Sequence, residues 1–300
     1  MKIGFYPGCS LSGTAREYNE SVVAIANAFQ IELITISDWN CCGATAAHNI
    51  NKILSLSLPA RILALAEKDG LTEIVVPCAA CYNRLASAKY HLEENEELKN
   101  EVTQTIELDY TGNVQIINVI QFIEKYILNK LEKKLEKTFL QKVACYYGCL
   151  LVRPNKVLSF DREEDPLLMD NVMKKLGADS IDWAFKTECC GAGFSVSQTE
   201  TVARLSGKII EDAVLRGAEA IIVACPMCHS NLDMRRKEIN NYMNTKTDIP
   251  VIYITQAIGL AIGLSEKDLG IHRHFVPVNL KMETLTENKH IIENLVKTEE

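Results

Sequence analysis

Residues 2–11 read KIGFYPGCSL, and residues 142–151 read KVACYYGCLL. In each, a short apolar run ends on a glycine followed at once by a cysteine. The runs predict strands over 2–8 and 142–148, and each Gly-Cys step predicts the turn by which the chain leaves its strand. Working outward, strands are expected at 31–37, 72–78, 114–119, 220–226 and 251–255. Between them 15–30, 56–70, 81–98, 165–177, 199–217 and 228–243 carry helical periodicity with charged outer faces. Alternating strand and helix predicts an α/β fold with a largely parallel sheet.

The two opening stretches are not the only match between the halves. CCGAT (41–45) returns as CCGAG (189–193), and VPCAAC (76–81) returns as ACPMC (224–228). The cysteine pairs are offset by 189 − 41 = 148 residues and the closing CxxC cysteines by 228 − 81 = 147. An internal duplication explains both, and predicts two similar domains related by a pseudo-twofold axis. The expected divisions are residues 1–137, residues 138–264 and a charged, weakly patterned tail over 265–300. The charged amphipathic stretch KYILNKLEKKLEKTFLQK (125–142) is expected to be an inter-domain helix or linker with the boundary near Lys137. The tail is expected to hug the surface, to be disordered or to act as a docking arm.

At 300 residues, 47% hydrophobic and 24% charged, the chain has the composition of a globular protein with sizeable cores. A formal net charge of −7 and the lack of a dense basic stripe argue against nucleic acid as a partner. No stretch approaches the roughly 20 uninterrupted apolar residues of a membrane span, and none near the start resembles a secretion signal, so a cytoplasmic protein is expected. In that compartment eleven cysteines point to metal rather than to disulfides.

Each half supplies five thiols in the same order: one after the Gly, an adjacent pair, then a CxxC. All five are expected where a strand hands over to a helix. The carboxyl ends of parallel strands line one edge of a sheet, so three distant turns would meet in one crevice. Helix N-termini lower thiol pKa there, and Gly8, Gly43, Gly148, Gly191 and Gly193 allow close backbone approach with N–H groups toward sulfur. Four thiolates suit tetrahedral zinc or one iron–sulfur cube, which leaves a fifth idle. Five suit a larger core with iron at unequal positions. Both structural zinc and a plain electron-transfer role stay open at this point.

The duplicated C…CCG…CxxC pattern over residues 1–260 resembles the cysteine-rich CCG domain family and, along its whole length, the HdrB family of heterodisulfide reductase components. Looser relatives serve glycerol-3-phosphate and lactate oxidation. The resemblance implies two noncubane 4Fe-4S clusters, one held by Cys9, Cys41, Cys42, Cys78 and Cys81, the other by Cys149, Cys189, Cys190, Cys225 and Cys228. They would face each other where the mixed disulfide of coenzymes M and B is reduced to two thiols, the cluster irons carrying the catalysis. It also implies partners: the HdrC component with cubane iron–sulfur clusters, the HdrA component with a flavin that bifurcates electrons, and hydrogenase or formate dehydrogenase modules in a larger complex, as in methanogenesis. The same motif also fits an organic-acid or quinone-linked oxidoreductase, or reduction of another disulfide.

Among the remaining residues, Cys145 is expected as a small buried strand residue rather than a ligand. His48 and His229 are each read as a proton donor or a capping imidazole. Arg84, Arg153, Arg235 and Arg236 are read as anion receivers or plain surface charges, and the DMRRKE run (233–238) as an exposed helix face. Trp39 and Trp183 are read as packing beside the cysteines or as general core.

Overall fold

The structure, a computed structural model, describes residues 1–44, 47–158 and 160–285, without the side chain of His48. The strands are β1 (Lys2–Phe5), β2 (Glu32–Thr35), β3 (Glu73–Val76), β4 (Gln115–Asn118), β5 (Lys137–Phe139), β6 (Lys142–Tyr146), β7 (Asp179–Ser180), β8 (Ala220–Val223), β9 (Val251–Tyr253) and β10 (Met282–Thr284). They form two parallel four-stranded sheets, in the orders β2-β1-β3-β4 and β7-β6-β8-β9, and an antiparallel pair of β5 with β10. The fold is α/β and duplicated, each half carrying its own parallel sheet flanked by helices.

Burial explains the strand sequences. In β3 the residues Ile74, Val75 and Val76 are buried, and in β8 all four residues are, because helices cover both faces of a parallel sheet. Edge strand β2 stays half-exposed and tolerates Glu32. In both sheets the connections leave in opposite directions from the two central strands. The crevice this opens lies beyond the carboxyl ends of β1 and β3, and of β6 and β8.

The pseudo-twofold axis shows in how the halves pack. Helix Arg16–Ala28 of the first half lies on Ile254–Ala261 of the second, and helix Leu168–Lys175 of the second lies on Val119–Tyr126 of the first. These pairings exchange equivalent helices. Both receiving helices start alike, with Gln121 accepting the Asn118 N–H at 3.0 Å and Gln256 accepting the Tyr253 N–H at 2.9 Å. Across the junction the Tyr18 and Tyr253 rings stack at 4.0 Å, and Ser21 and Thr255 share a hydrogen bond of 2.6 Å. One continuous apolar core runs through both halves.

Between the halves the charged stretch resolves into short pieces, Leu128–Leu131 and one 3-10 turn, before Lys137 opens β5. Of the segment from Ser265, residues 265–285 are described: Leu269, Ile271 and Val276 are buried, and β10 pairs with β5. The rest of the expected tail, residues 286–300, lies outside the described residues. The 228–243 pattern is not one helix. A turn at Pro226–His229 passes into a wider π turn at Ser230–Met234 before helix Arg236–Met243. That extra residue per turn rotates Asp233 and Arg236 inward, so DMRRKE is not an exposed face: both are buried.

Candidate metal centre

In each half three segments converge at the crevice. The first leaves β1 or β6. Gly8 and Gly148 take φ of +62° and +70°, where a side chain is strained. A Cβ on Gly8 would sit 3.2 Å from the Cys81 sulfur, and one on Gly148 only 2.9 Å from the Cys228 sulfur. Both glycines therefore clear the space beside a CxxC thiol. The next residues are Cys9, exposed, and Cys149, half-buried.

The second segment carries the adjacent pair, and here the expected strand-to-helix turn is absent. Cys41 lies six residues beyond Thr35 and Cys189 nine beyond Ser180, on irregular loops. A tyrosine at the end of the central strand holds each loop in place. Tyr6 donates to the Asn40 carbonyl at 2.8 Å and Tyr146 to the Glu188 carbonyl at 2.6 Å, in each case the residue just ahead of the pair. Trp39 meets the Tyr6 ring edge-on at 5.6 Å, and Trp183 meets Tyr146 at 6.4 Å. Both tryptophans thus brace the tyrosines. Sequence reasoning misses these two tyrosines, although each stands in or beside the repeated motif, Tyr6 opening YPGC and Tyr146 opening YYGC.

The third segment starts a helix. Cys78 caps Ala79–Glu93 and Cys225 caps Pro226–His229, which brings Cys81 and Cys228 onto the first turn. The thiols then meet across segments. Cys42 Sγ lies 3.3 Å from Cys81 Sγ, and Cys190 Sγ lies 3.7 Å from Cys228 Sγ. Cys42, Cys78, Cys81, Cys190, Cys225 and Cys228 are buried, while Cys41 and Cys189 stay exposed. Cys149 stands beside Cys189, and Cys78 stands beside Cys225 across the two halves. Tyr18 marks the same junction, its hydroxyl 3.1 Å from the Ala224 carbonyl and 3.4 Å from that of Pro77.

Thiols this crowded sort into donors and acceptors of hydrogen bonds. Its sulfur neighbours Cys41 and Cys81 hold Cys42 down at about 3, and Cys149, with the N–H groups of Gly191 and Ala192, holds Cys189 at about 6. Cys81 and Cys228, hydrogen-bonded to neighbouring sulfurs and buried, are pushed up. Like charges keep five neighbouring thiols from ionising together, and a polycationic core removes that obstacle. Soft sulfur donors from three segments, and glycines that keep a Cβ out of the way, fit a metal–sulfur group in each half.

The other candidates go elsewhere. Cys145 is fully buried within β6, its Sγ 3.5 Å from Ser180 Oγ. His229 is buried with Nε2 at 3.1 Å from the Val251 carbonyl and 3.3 Å from His274 Nδ1, and its ring stacks on Tyr253. It ties the chain near His274 to the second half. Arg236 spans the carbonyls of Leu232 and Ile249, Arg235 reaches that of Ser195, and Arg153 pairs with Glu164. Arg84 is half-buried beside the first group of thiols.

Comparison with known proteins agrees with the duplication. The family described as a cysteine-rich domain, CCG, matches residues 3–86 and again 143–233. The chain is 29% identical over 277 residues to the 8-methylmenaquinol:fumarate reductase membrane anchor subunit of Wolinella succinogenes, covering 92% of this chain and 97% of that one. It is 29% identical over 285 residues to the B-type subunit of the ferredoxin/F420H2-dependent CoB-CoM heterodisulfide reductase of Methanosarcina acetivorans, covering 92% and 94%. Among solved structures, a hypothetical protein from Helicobacter pylori shares the fold with a TM-score of 0.76 at 14% identity; the match covers 93% of this chain and 52% of that one.

Proposed function

This chain belongs to the cysteine-rich CCG domain family, and we propose that it is the disulfide-reducing iron–sulfur subunit of a heterodisulfide reductase complex. In this reading a noncubane 4Fe-4S cluster is held by Cys9, Cys41, Cys42, Cys78 and Cys81, and a second by Cys149, Cys189, Cys190, Cys225 and Cys228. The substrate is the coenzyme M–coenzyme B disulfide, reduced to two thiols. The domain divisions near 137 and 264 belong to the same reading.

The observation that supports it is the matched sulfur contact in each half, Cys42 with Cys81 and Cys190 with Cys228, at the ends of equivalent strands. When bound, iron–sulfur groups accept electrons singly, and two of them match the two electrons that a disulfide takes up. The chain's own residues hold the arrangement. Tyr6 and Tyr146 fix the loops that present the cysteine pairs, and the helix caps at Cys78 and Cys225 aim the inner thiols. Tyr18 and Tyr253 close the junction behind them and keep water out. The HdrC and HdrA components, with hydrogenase or formate dehydrogenase modules, are the proposed electron suppliers.

A second reading has its own support. The Wolinella relative, equally similar, is named for fumarate reduction with a menaquinol, so an electron-transfer role in an organic-acid or quinone-linked oxidoreductase is the alternative. That relative is called a membrane anchor; here no helix among the described residues is long and apolar enough to cross a membrane.

The test is anaerobic purification with metal analysis, followed by assay with a reduced donor. The proposal expects about eight iron and eight sulfide per chain and turnover of the coenzyme M–coenzyme B disulfide. Zinc without sulfide overturns the cluster assignment. Intact clusters with no disulfide turnover, but electron transfer to a quinone or organic acid, favour the alternative.

A further inference from the structure

The two nests are built from equivalent positions, yet their charges differ. Three residues beyond the closing CxxC cysteine stands Arg84 in the first half and Asn231 in the second. Just ahead of the cysteine pair stands Asn40 in the first half and Glu188 in the second. Two substitutions at matching places thus make the amino-terminal nest more positive and the carboxy-terminal one more negative.

Asn231 is fully engaged. Its amide donates to the Cys190 carbonyl at 3.0 Å and lies 3.7 Å from the Cys190 sulfur, while its oxygen accepts from Ser195 at 2.9 Å. Arg84 is half-buried, and among the described residues no hydrogen bond or ion pair engages it. A guanidinium is a cation with five donors, so a half-buried one that none of the described residues engages acts through its field. Arg84 stands one turn beyond Cys81 on the same helix, and Cys42 lies 3.3 Å from the Cys81 sulfur, so the field falls on this pair. At the other nest Glu188 directly precedes Cys189 on the loop that Tyr146 holds, and its carboxylate brings the opposite sign. Glu188 is exposed and its charge is screened by water, so Arg84 supplies the larger share of the difference.

Resting on the proposed reading of two metal-holding nests, we infer that Arg84 makes the two unequal and sets the amino-terminal nest as the first to take on negative charge. Each electron that arrives adds one negative charge to the nest that takes it. The nest beside the Arg84 cation is therefore reduced at the higher potential, and the nest beside a neutral amide and an acid at the lower. Arg84 is a positioning residue for charge, not a ligand.

The experiment is an anaerobic dithionite titration of the whole chain followed by electron paramagnetic resonance, with iron and sulfide measured first. The wild type is expected to show two distinct one-electron potentials. Arg84→Gln is expected to lower the higher one and leave the other in place, Arg84→Lys to keep it, and Glu188→Gln to raise the lower one by a smaller step. If Arg84→Gln loses its iron, Arg84→Met, which keeps the length of the side chain without its charge, carries the test, and an unmoved higher potential there overturns the inference. Loaded nests whose potentials ignore Arg84→Gln, or move equally in Arg84→Lys, overturn it while leaving the proposed function intact. A wild-type chain without iron and sulfide overturns both.

Discussion

The halves of this protein agree at three short segments and part company immediately after them. In the first half the CxxC opens an unbroken helix, Ala79–Glu93, whose Asn83 reaches into the other half to the carbonyls of Leu150 and Arg153. In the second half the corresponding helix breaks after one turn, and the π turn that follows brings Asn231 to Cys190 and Asp233 to the N–H groups of Phe275 and Val276. One helix therefore braces the neighbouring half and the other anchors its own carboxy-terminal strap. The difference teaches that the sulfur geometry tolerates two supporting structures, provided that a strand-end tyrosine, a left-handed glycine and a capping cysteine stay in place.

The comparison is tested most severely at the buried sulfurs. Cys42→Ser and Cys190→Ser each remove one member of an inner pair, and under the proposed function each is expected to lose about half of the bound metal and essentially all disulfide turnover. Metal content and turnover measured side by side check this. If one variant keeps full turnover, the equivalence of the halves is broken.

Acid separates the halves next, since the His229–His274 pair belongs to the second alone. Burial lowers His274 from 6.5 to about 4, so the unfolded chain binds the proton more readily than the folded one. Stability from this residue is complete above about pH 6.5 and declines as pH falls toward 4, by on the order of 3 kcal/mol in all. His274→Gln should flatten this part of the profile in denaturant titrations run across that range. An unchanged acid slope would remove the histidine from the account.

Asp233→Ala leaves the N–H groups of Phe275 and Val276 without a partner, and should cost about 2–3 kcal/mol. The matching position in the first half is Ala86, where a change to Ser should cost about 0.5 kcal/mol. Chemical denaturation of the two variants compares strap with helix directly, and equal losses would contradict the contrast drawn above.

A smaller effect than at Asp233 is expected at the tyrosines. Tyr6→Phe and Tyr146→Phe each lose one hydrogen bond to the residue ahead of a cysteine pair, about 1 kcal/mol apiece. A matching fall in both melting temperatures supports equivalent bracing; a marked imbalance shows that one loop is held by other means.

Much of this is legible in the residues. The strands at 72–78 and 220–226 announce themselves because a sheet covered on both faces needs unbroken apolar runs, and both β3 and β8 are such runs. β7 is hidden because Asp179–Ser180 is two polar residues on an edge, paired only with Lys142 and Val143. β5 is hidden because Lys137–Phe139 has no pattern of its own and becomes a strand only when β10 arrives from far along the chain. The DMRRKE run misleads for a related reason: its charges suit a solvated helix, and only the π turn, with carbonyls and N–H groups waiting inside, permits burial of Asp233 and Arg236.

Sequence alone determined the duplication, the order of the ten cysteines and the α/β class, because repeated motifs and apolar periodicity are local facts written along the chain. Tertiary structure decided which sulfurs touch, that Cys78 and Cys225 come together across the axis, and that Asn231 is bonded at Cys190 while no described residue engages Arg84. Those are distances between residues far apart in the chain, and they exist only once two sheets have been packed against each other.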